Sequence, residues 1–286
     1  MKLPPEMRKL LPPRPREAHK GTTGHVFILA GSLGLTGAAV LSALGALRSG
    51  AGLVTLGIPK SLNVIVAVKL TEAMTLPLPE TSGQTLSLKA EREILNFSKR
   101  INVVALGPGL SQNKATVNLI KQLIKKINVP LVIDADGINA LSGEPEILLQ
   151  RKAATIITPH PGEMSRLIGF SVKKIQANRR QIARKVASQF KIVVILKGRN
   201  TVIATPKGET FINPTGGAGM ASGGMGDVLT GIVASFLAQG LLPLAASKLA
   251  VYAHGLAADW LVKKKGLRGI IASDVVDKLP FVLKNN

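Results

Sequence analysis

Short runs of β-branched and aliphatic residues recur along the chain with helical patterns between or after most of them. This alternation restricts the fold more than any other feature of the sequence. Runs at 26–30, 53–58, 103–106, 131–134, 155–158, 192–196 and 201–204 read as strands. Several are continuously apolar, as Val-Val-Ile-Leu is at 193–196, which suits a strand covered on both faces. The pattern predicts an α/β three-layer sandwich, a mostly parallel central sheet with helices on both faces. Residues 197–200 interrupt two such runs with a turn and predict an antiparallel pair at the sheet edge. Two long helices are predicted at 219–239 and 244–263. No linker, composition shift or internal repeat divides the 286 residues, so one domain over 1–286 is expected.

Composition excludes several classes. Hydrophobic residues make up 46% and charged ones 19%, the opposite of a disordered chain. With no cysteine, disulfides, thiolate zinc sites and cysteine nucleophiles are all ruled out. Lys and Arg number 37 against 16 acids, a net charge of +21, which points to an anionic partner. With 7 Phe, 1 Tyr and 1 Trp, stacking aromatics are too few to favour single-stranded nucleic acid, so a phosphorylated small molecule fits better. The basic residues are scattered, and a solvated surface accounts for many of them. Uncharged stretches at 26–47 and 228–247 approach the roughly 20 residues of a membrane span. Glycines break the first and Gln239, Gly240 and Pro243 the second, so both read as buried strand and helix. Residues 1–20 are proline-rich and charged, without the apolar segment of a secretory signal. A cytoplasmic protein without membrane or nucleic-acid partners is expected.

The dinucleotide fingerprint, the Walker A loop, the zincin helix and the hydrolase elbow are all absent from the sequence. Its strongest motif is Gly216-Gly-Ala-Gly-Met-Ala-Ser-Gly-Gly-Met-Gly-Asp227, running into an apolar helical pattern. Six glycines in twelve positions let backbone approach a ligand closely. Gly223, Gly224, Met225 and Gly226 form a candidate anion loop, because free N–H groups and the positive dipole end favour a phosphate there. Asp227 then supplies a carboxylate able to accept the proton of an attacking hydroxyl. The alternative is a flexible loop whose Asp merely occupies a first helical turn.

Thr158-Pro-His-Pro-Gly-Glu163 follows a strand, with His160 at the strand end, where open α/β sheets hold ligands, and Glu163 in a first helical turn. Alternatively, His160 only bonds backbone. Gly107-Pro-Gly109 and Asp134-Ala-Asp136 also occupy strand ends. Asp134 or Asp136 would help hold Mg²⁺ through water, or cap the following helix. Lys197, after an apolar strand, reaches phosphate or adenosine from the edge turn, or is a solvated hairpin lysine.

Together these residues resemble the ADP- or ATP-dependent NAD(P)H-hydrate dehydratases, a family on the ribokinase-like fold. The resemblance covers nearly the whole chain. Its pieces are His19-Lys-Gly, Ala30-Gly-Ser, Thr36-Gly-Ala, Leu47-Arg-Ser-Gly-Ala-Gly-Leu-Val, Leu106-Gly-Pro-Gly-Leu, Asp134-Ala-Asp, Thr158-Pro-His-Pro-Gly-Glu-Met, Leu196-Lys-Gly with Thr201, Asn213-Pro-Thr-Gly, Gly223-Gly-Met-Gly-Asp and Tyr252-Ala-His-Gly.

The family phosphorylates the C6 hydroxyl of hydrated NADH or NADPH with a nucleotide, then eliminates phosphate. The resemblance implies Asp227 as base and substrate contact, and substrate contacts at Ala38, Ala39, Gly109 and His160. It places the nucleotide at Lys197, Gly198, Arg199, Asn200, Thr201 and Gly226. It further implies Mg²⁺, with direct ligands unassigned, ADP ahead of ATP as co-substrate, and a homo-oligomer. Leu35 stands where many members carry tyrosine, and Gly217-Ala218 replaces the more usual Asn-Pro or Asn-Gly. The family's frequent N-terminal epimerase domain is not expected, residues 1–20 being too short to hold it, and epimerisation falls to a separate protein. Two other readings remain: a kinase for a hydroxymethylpyrimidine or thiazole alcohol on the same fold, and a basic nucleic-acid-binding protein indifferent to Asp227.

Overall fold

The computed structural model describes residues 2–284. Nine strands form one sheet: β1 His25–Leu29, β2 Leu53–Pro59, β3 Met74–Leu78, β4 Val103–Leu106, β5 Leu131–Ile133, β6 Thr155–Ile157, β7 Val193–Leu196, β8 Val202–Ala204 and β9 Thr210–Ile212. The α-helices are α1 Pro5–Arg8, α2 Thr36–Arg48, α3 Asn63–Lys69, α4 Glu91–Ser98, α5 Lys114–Lys126, α6 Asp136–Asn139, α7 Pro161–Ile168, α8 Val172–Ala177, α9 Arg179–Phe190, α10 Met225–Ala238, α11 Pro243–Lys265 and α12 Ala272–Val282. The strand order is β3-β2-β1-β4-β5-β6-β7-β8-β9, parallel from β3 to β7 and antiparallel from there to β9.

Period-2 alternation divides the central strands between two cores. Val26 and Ile28 of β1 join Val103 and Ala105 of β4 beneath α2, α10, α11 and α12. Phe27, Leu29, Val104 and Leu106 face the opposite layer, built from α4, α5, α7 and α9. Both faces are covered, as the continuous apolar runs require. After β3 the chain returns to the other side of β1, so the C-terminal ends of β1 and β4 form a topological switch point, where open sheets place ligands.

The predicted turn at 197–200 joins β7 to β8, with Val194 opposite Ala204 and Leu196 opposite Val202. The edge assignment is corrected: β9 adds beyond β8 and is the outer strand. β3 was not foreseen because it contains Pro77, which an edge strand tolerates. The helix predicted from 219 begins at Met225, because Gly224 adopts a left-handed φ of 87° and serves as the N-cap. Only a single 3-10 turn, Ala218–Met220, forms before it. The uncharged stretches lie within β1 and α2 and within α10 and α11; no helix among the described residues is long and apolar enough to cross a membrane.

Candidate active site

The glycine-rich loop delivers Asp227 to the first turn of α10, and that turn sits above the ends of β5 and β7. Thr230, one turn on, donates to Asp134 Oδ2 at 2.8 Å. A Cβ added to Gly226 would stand 3.3 Å from Lys197 Nζ and 3.6 Å from Asp134 Oδ2. Gly226 therefore lets the helix start approach both charges closely. On its other side the loop meets α2, where a Cβ on Gly224 would collide with Leu41.

Asp134 is 1% exposed and accepts from Lys197 Nζ at 2.6 Å, while the same ammonium lies 3.6 Å from Glu163. Lys197 is thus not a solvated hairpin lysine. Burial alone would lower its pKa, but the charges of Asp134 and Glu163 outweigh it and leave the ammonium's pKa raised. Burial raises that of Glu163. Burial first, then the Asp134 carboxylate, push Asp227 up to about 7. A carboxyl poised there exchanges protons near neutral pH, as a general base must.

The two aspartates of 134–136 part company. Asp134 turns inward, whereas Asp136 accepts from Ser111 N and Gln112 Nε2, both at 2.8 Å, and ties down the chain after Gly109. Neither caps α6, whose start has no side-chain cap.

His160 Nδ1 accepts from the amides of Gly162 at 2.9 Å and Glu163 at 3.2 Å, and Glu163 returns a bond to the His160 amide. This capping box fixes the tautomer: the neutral ring carries its proton on Nε2, which lies 3.3 Å from Glu163 Oε1. Burial, then Lys197, holds the imidazole pKa below its ordinary value. The ring is exposed at the strand end, so its backbone bonding leaves one face open to a ligand.

At the switch point, Ser32 Oγ donates to Gly109 O at 2.8 Å, and Gly31 N donates to Pro108 O at the same distance. The Ala38 methyl lies 3.1 Å from where a Cβ would stand on Gly109, so these two predicted substrate residues do meet. The Ala39 side chain, on the inner face of α2, is buried in the core.

Across α10 lies a cavity of about 510 Å³. Its wall contains Lys197, Gly198, Arg199, Thr201 and Gly226 of the predicted nucleotide residues, together with Met225, Leu229, Val251 and His254. Asn200 is at the turn apex with a φ of 56°, off this wall. Arg179, which sequence reasoning missed, donates to the carbonyls of Leu196, Lys197 and Arg199 and so fixes the turn. Its only signal was a basic pair opening a helix. Asp259, also missed, accepts from Gly216 N at 2.9 Å and anchors the start of the glycine-rich loop. A groove of equal volume beside α4 holds lysines but none of the site's acids.

No cluster of three or more His, Asp or Glu among the described residues is arranged to enclose a metal. Asp134, Glu163 and Asp227 nonetheless set three carboxyls against one ammonium. Lys197 and Thr230 already engage both oxygens of Asp134, and the His160 amide engages Glu163, so these carboxyls do not by themselves form a metal seat.

Residues 26–281 match the family model described as NAD(P)H-hydrate dehydratase. The chain is 47% identical over 278 residues to the bifunctional NAD(P)H-hydrate repair enzyme of Moorella thermoacetica, covering 97% of this chain and 52% of that protein. It spans about half the length of several curated relatives that it matches. The ADP-dependent (S)-NAD(P)H-hydrate dehydratase of Bacillus subtilis is 35% identical, with 97% and 95% of the two chains covered. A crystal structure of the ADP/ATP-dependent enzyme from that organism, co-crystallised with ATP/Mg²⁺, superposes with a TM-score of 0.83 at 33% identity, covering 96% and 94%. A hydroxyethylthiazole kinase from Pyrococcus horikoshii, covering 97% and 92%, shares the fold alone, at 15% identity and a TM-score of 0.64. The architecture is ribokinase-like.

Proposed function

The chain belongs to the NAD(P)H-hydrate dehydratase family, and from that premise we propose that it uses a nucleotide to return the S epimer of hydrated NADH or NADPH to the reduced cofactor. ADP is the preferred co-substrate, a choice supported by the name of the Bacillus subtilis relative. The observation that carries this reading is the position of Asp227: a carboxyl with a pKa of about 7, next to a free helix N-terminus, with the cavity on one side of its helix and α2 on the other.

The chemistry follows from these placements. The nucleotide occupies the cavity, its terminal phosphoryl at the α10 amides beside Gly226 and Lys197. Hydrated nicotinamide lies against Gly109, Ala38 and His160. Asp227 takes the proton from the C6 hydroxyl, whose oxygen forms a bond to the terminal phosphorus as the bond to AMP breaks. Phosphate then leaves C6, expelled by the ring-nitrogen electron pair, and the C5 proton passes to the departing phosphate as the C5–C6 double bond is restored. Phosphorylation matters because hydroxide is a poor leaving group and phosphate is not. Lys197 stays protonated and so favours charge on the transferring group.

Mixing the protein with hydrated NADH, Mg²⁺ and ADP or ATP, then following reduced-nicotinamide absorbance and phosphate release, tests the proposal. Accumulation of a stable phosphate ester on a pyrimidine or thiazole alcohol, with no action on the hydrate, would favour the kinase reading instead.

A further inference from the structure

His254 lies on α11 in the wall of the cavity that Met225, Gly226 and Leu229 of α10 also line. Its side chain is only 5% exposed, and its Nε2 is fully buried without a hydrogen-bond partner among the described residues. Buried ring nitrogens are ordinarily satisfied, because an unpaired one costs free energy that an apolar side chain of similar size would not. Packing alone therefore does not account for a histidine here. Burial, then the charge of Lys197, lowers its pKa to about 4, so the ring is neutral near neutral pH and keeps both a donor and an acceptor.

The position of the ring in the cavity indicates what it would meet. Phosphate-binding groups lie at the α10 start and on the turn fixed by Arg179. The same wall also carries Met220, Leu229 and Val251, apolar surface suited to a flat base and a sugar, with Thr215 beside Gly255. An uncharged hydrogen-bonding ring in such a wall can orient a nucleoside without competing for phosphate.

We propose that His254 is a nucleoside-recognition residue, hydrogen-bonding a polar group of the adenosine part of the nucleotide and fixing how the phosphates point toward Asp227. This assignment rests on the nucleotide-dependent reading above. It makes His254 a determinant of nucleotide affinity and leaves the hydrated dinucleotide to the other side of α10.

The test compares wild type with His254→Leu and His254→Phe, which remove the ring nitrogens, and with His254→Asn, which matches leucine in size but keeps polar atoms. Calorimetric titration with ADP and, separately, with hydrated NADH is read beside thermal melting. Loss of one uncharged hydrogen bond predicts ADP binding weaker by about tenfold in the apolar variants. Hydrated NADH binding should be unchanged, the melting temperature no lower than wild type, and the Asn variant closer to wild type than the Leu variant. An apolar variant that folds and binds ADP normally, or loses both ligands equally, overturns the assignment. So does failure of both apolar variants to fold, which would make His254 a structural residue. Normal ADP binding by wild type and variants alike would overturn this inference alone, whereas a wild type that binds no nucleotide would overturn the functional reading as well.

Discussion

Lys197 Nζ donates to Asp134 Oδ1 at 2.6 Å, joining the ends of β7 and β5 across 63 residues of sequence. Removing one partner of such a buried pair leaves the other charge uncompensated, at a cost of about 3 kcal/mol or more. Lys197→Met should therefore melt well below wild type, and adding Asp134→Asn should recover part of the loss. Unchanged melting of the single variant would mean that the pair contributes nothing to stability. Lys197→Ala should also weaken ADP more than hydrated NADH, and equal ADP affinities by calorimetry would place the nucleotide elsewhere.

The pH dependence is set by Asp227. As a base with a pKa of about 7, it predicts kcat/KM rising with pH toward that value and levelling above it. The stability consequence has the opposite sign. Folding raises this carboxyl from 3.8 to about 7, so in that window the folded chain binds more protons than the unfolded one and stability falls as pH rises. Asp227→Asn should melt above wild type at a pH beyond 7 and converge with it below about 4. Identical melting at both ends would show that the carboxyl is not strained by burial.

Arg179 acts through the 197–201 turn. Because its guanidinium holds three carbonyls of that turn, Arg179→Gln should raise KM for the nucleotide about tenfold while leaving kcat and the KM for the hydrate within about twofold. Steady-state kinetics with each substrate varied in turn makes the comparison. A matching rise in both KM values would indicate general loosening instead.

Gly226→Val tests the close approach at the α10 start. Its side chain would crowd Lys197 and displace a donor from the transferring phosphoryl, a loss worth about 10² to 10³ in rate. Turnover measured beside thermal melting separates the possibilities. A folded variant with near-normal turnover would assign the glycine to packing.

The sheet was legible because strands covered on both faces must be apolar throughout, which made β4 and β7 stand out. β3 and β9 were not, one interrupted by Pro77 and the other only three residues long. Asp227 was marked by the glycines before it, since few other local structures need so many. The Lys197–Asp134 contact had no such marker, because each residue follows a strand and only the sheet order brings them together. Arg179 reads as one more charge on a solvated helix until its three carbonyl partners are seen. His254 belonged to a recognisable segment, Tyr252-Ala-His-Gly, but nothing in the spacing told that its ring would enter a cavity wall.

In the proposed reaction Asp227 drives nucleotide-dependent dehydration of the hydrated cofactor. The most direct measurement is a stoichiometric assay: hydrated NADH with ADP and Mg²⁺, quantifying reduced cofactor, AMP and phosphate for wild type and Asp227→Asn. Wild type should form equal amounts of all three and none without nucleotide, and the variant should turn over about 10² to 10⁴ more slowly with ADP binding retained. Reduced cofactor formed without nucleotide consumption, or a variant keeping more than about a tenth of wild-type turnover, would contradict that role of Asp227.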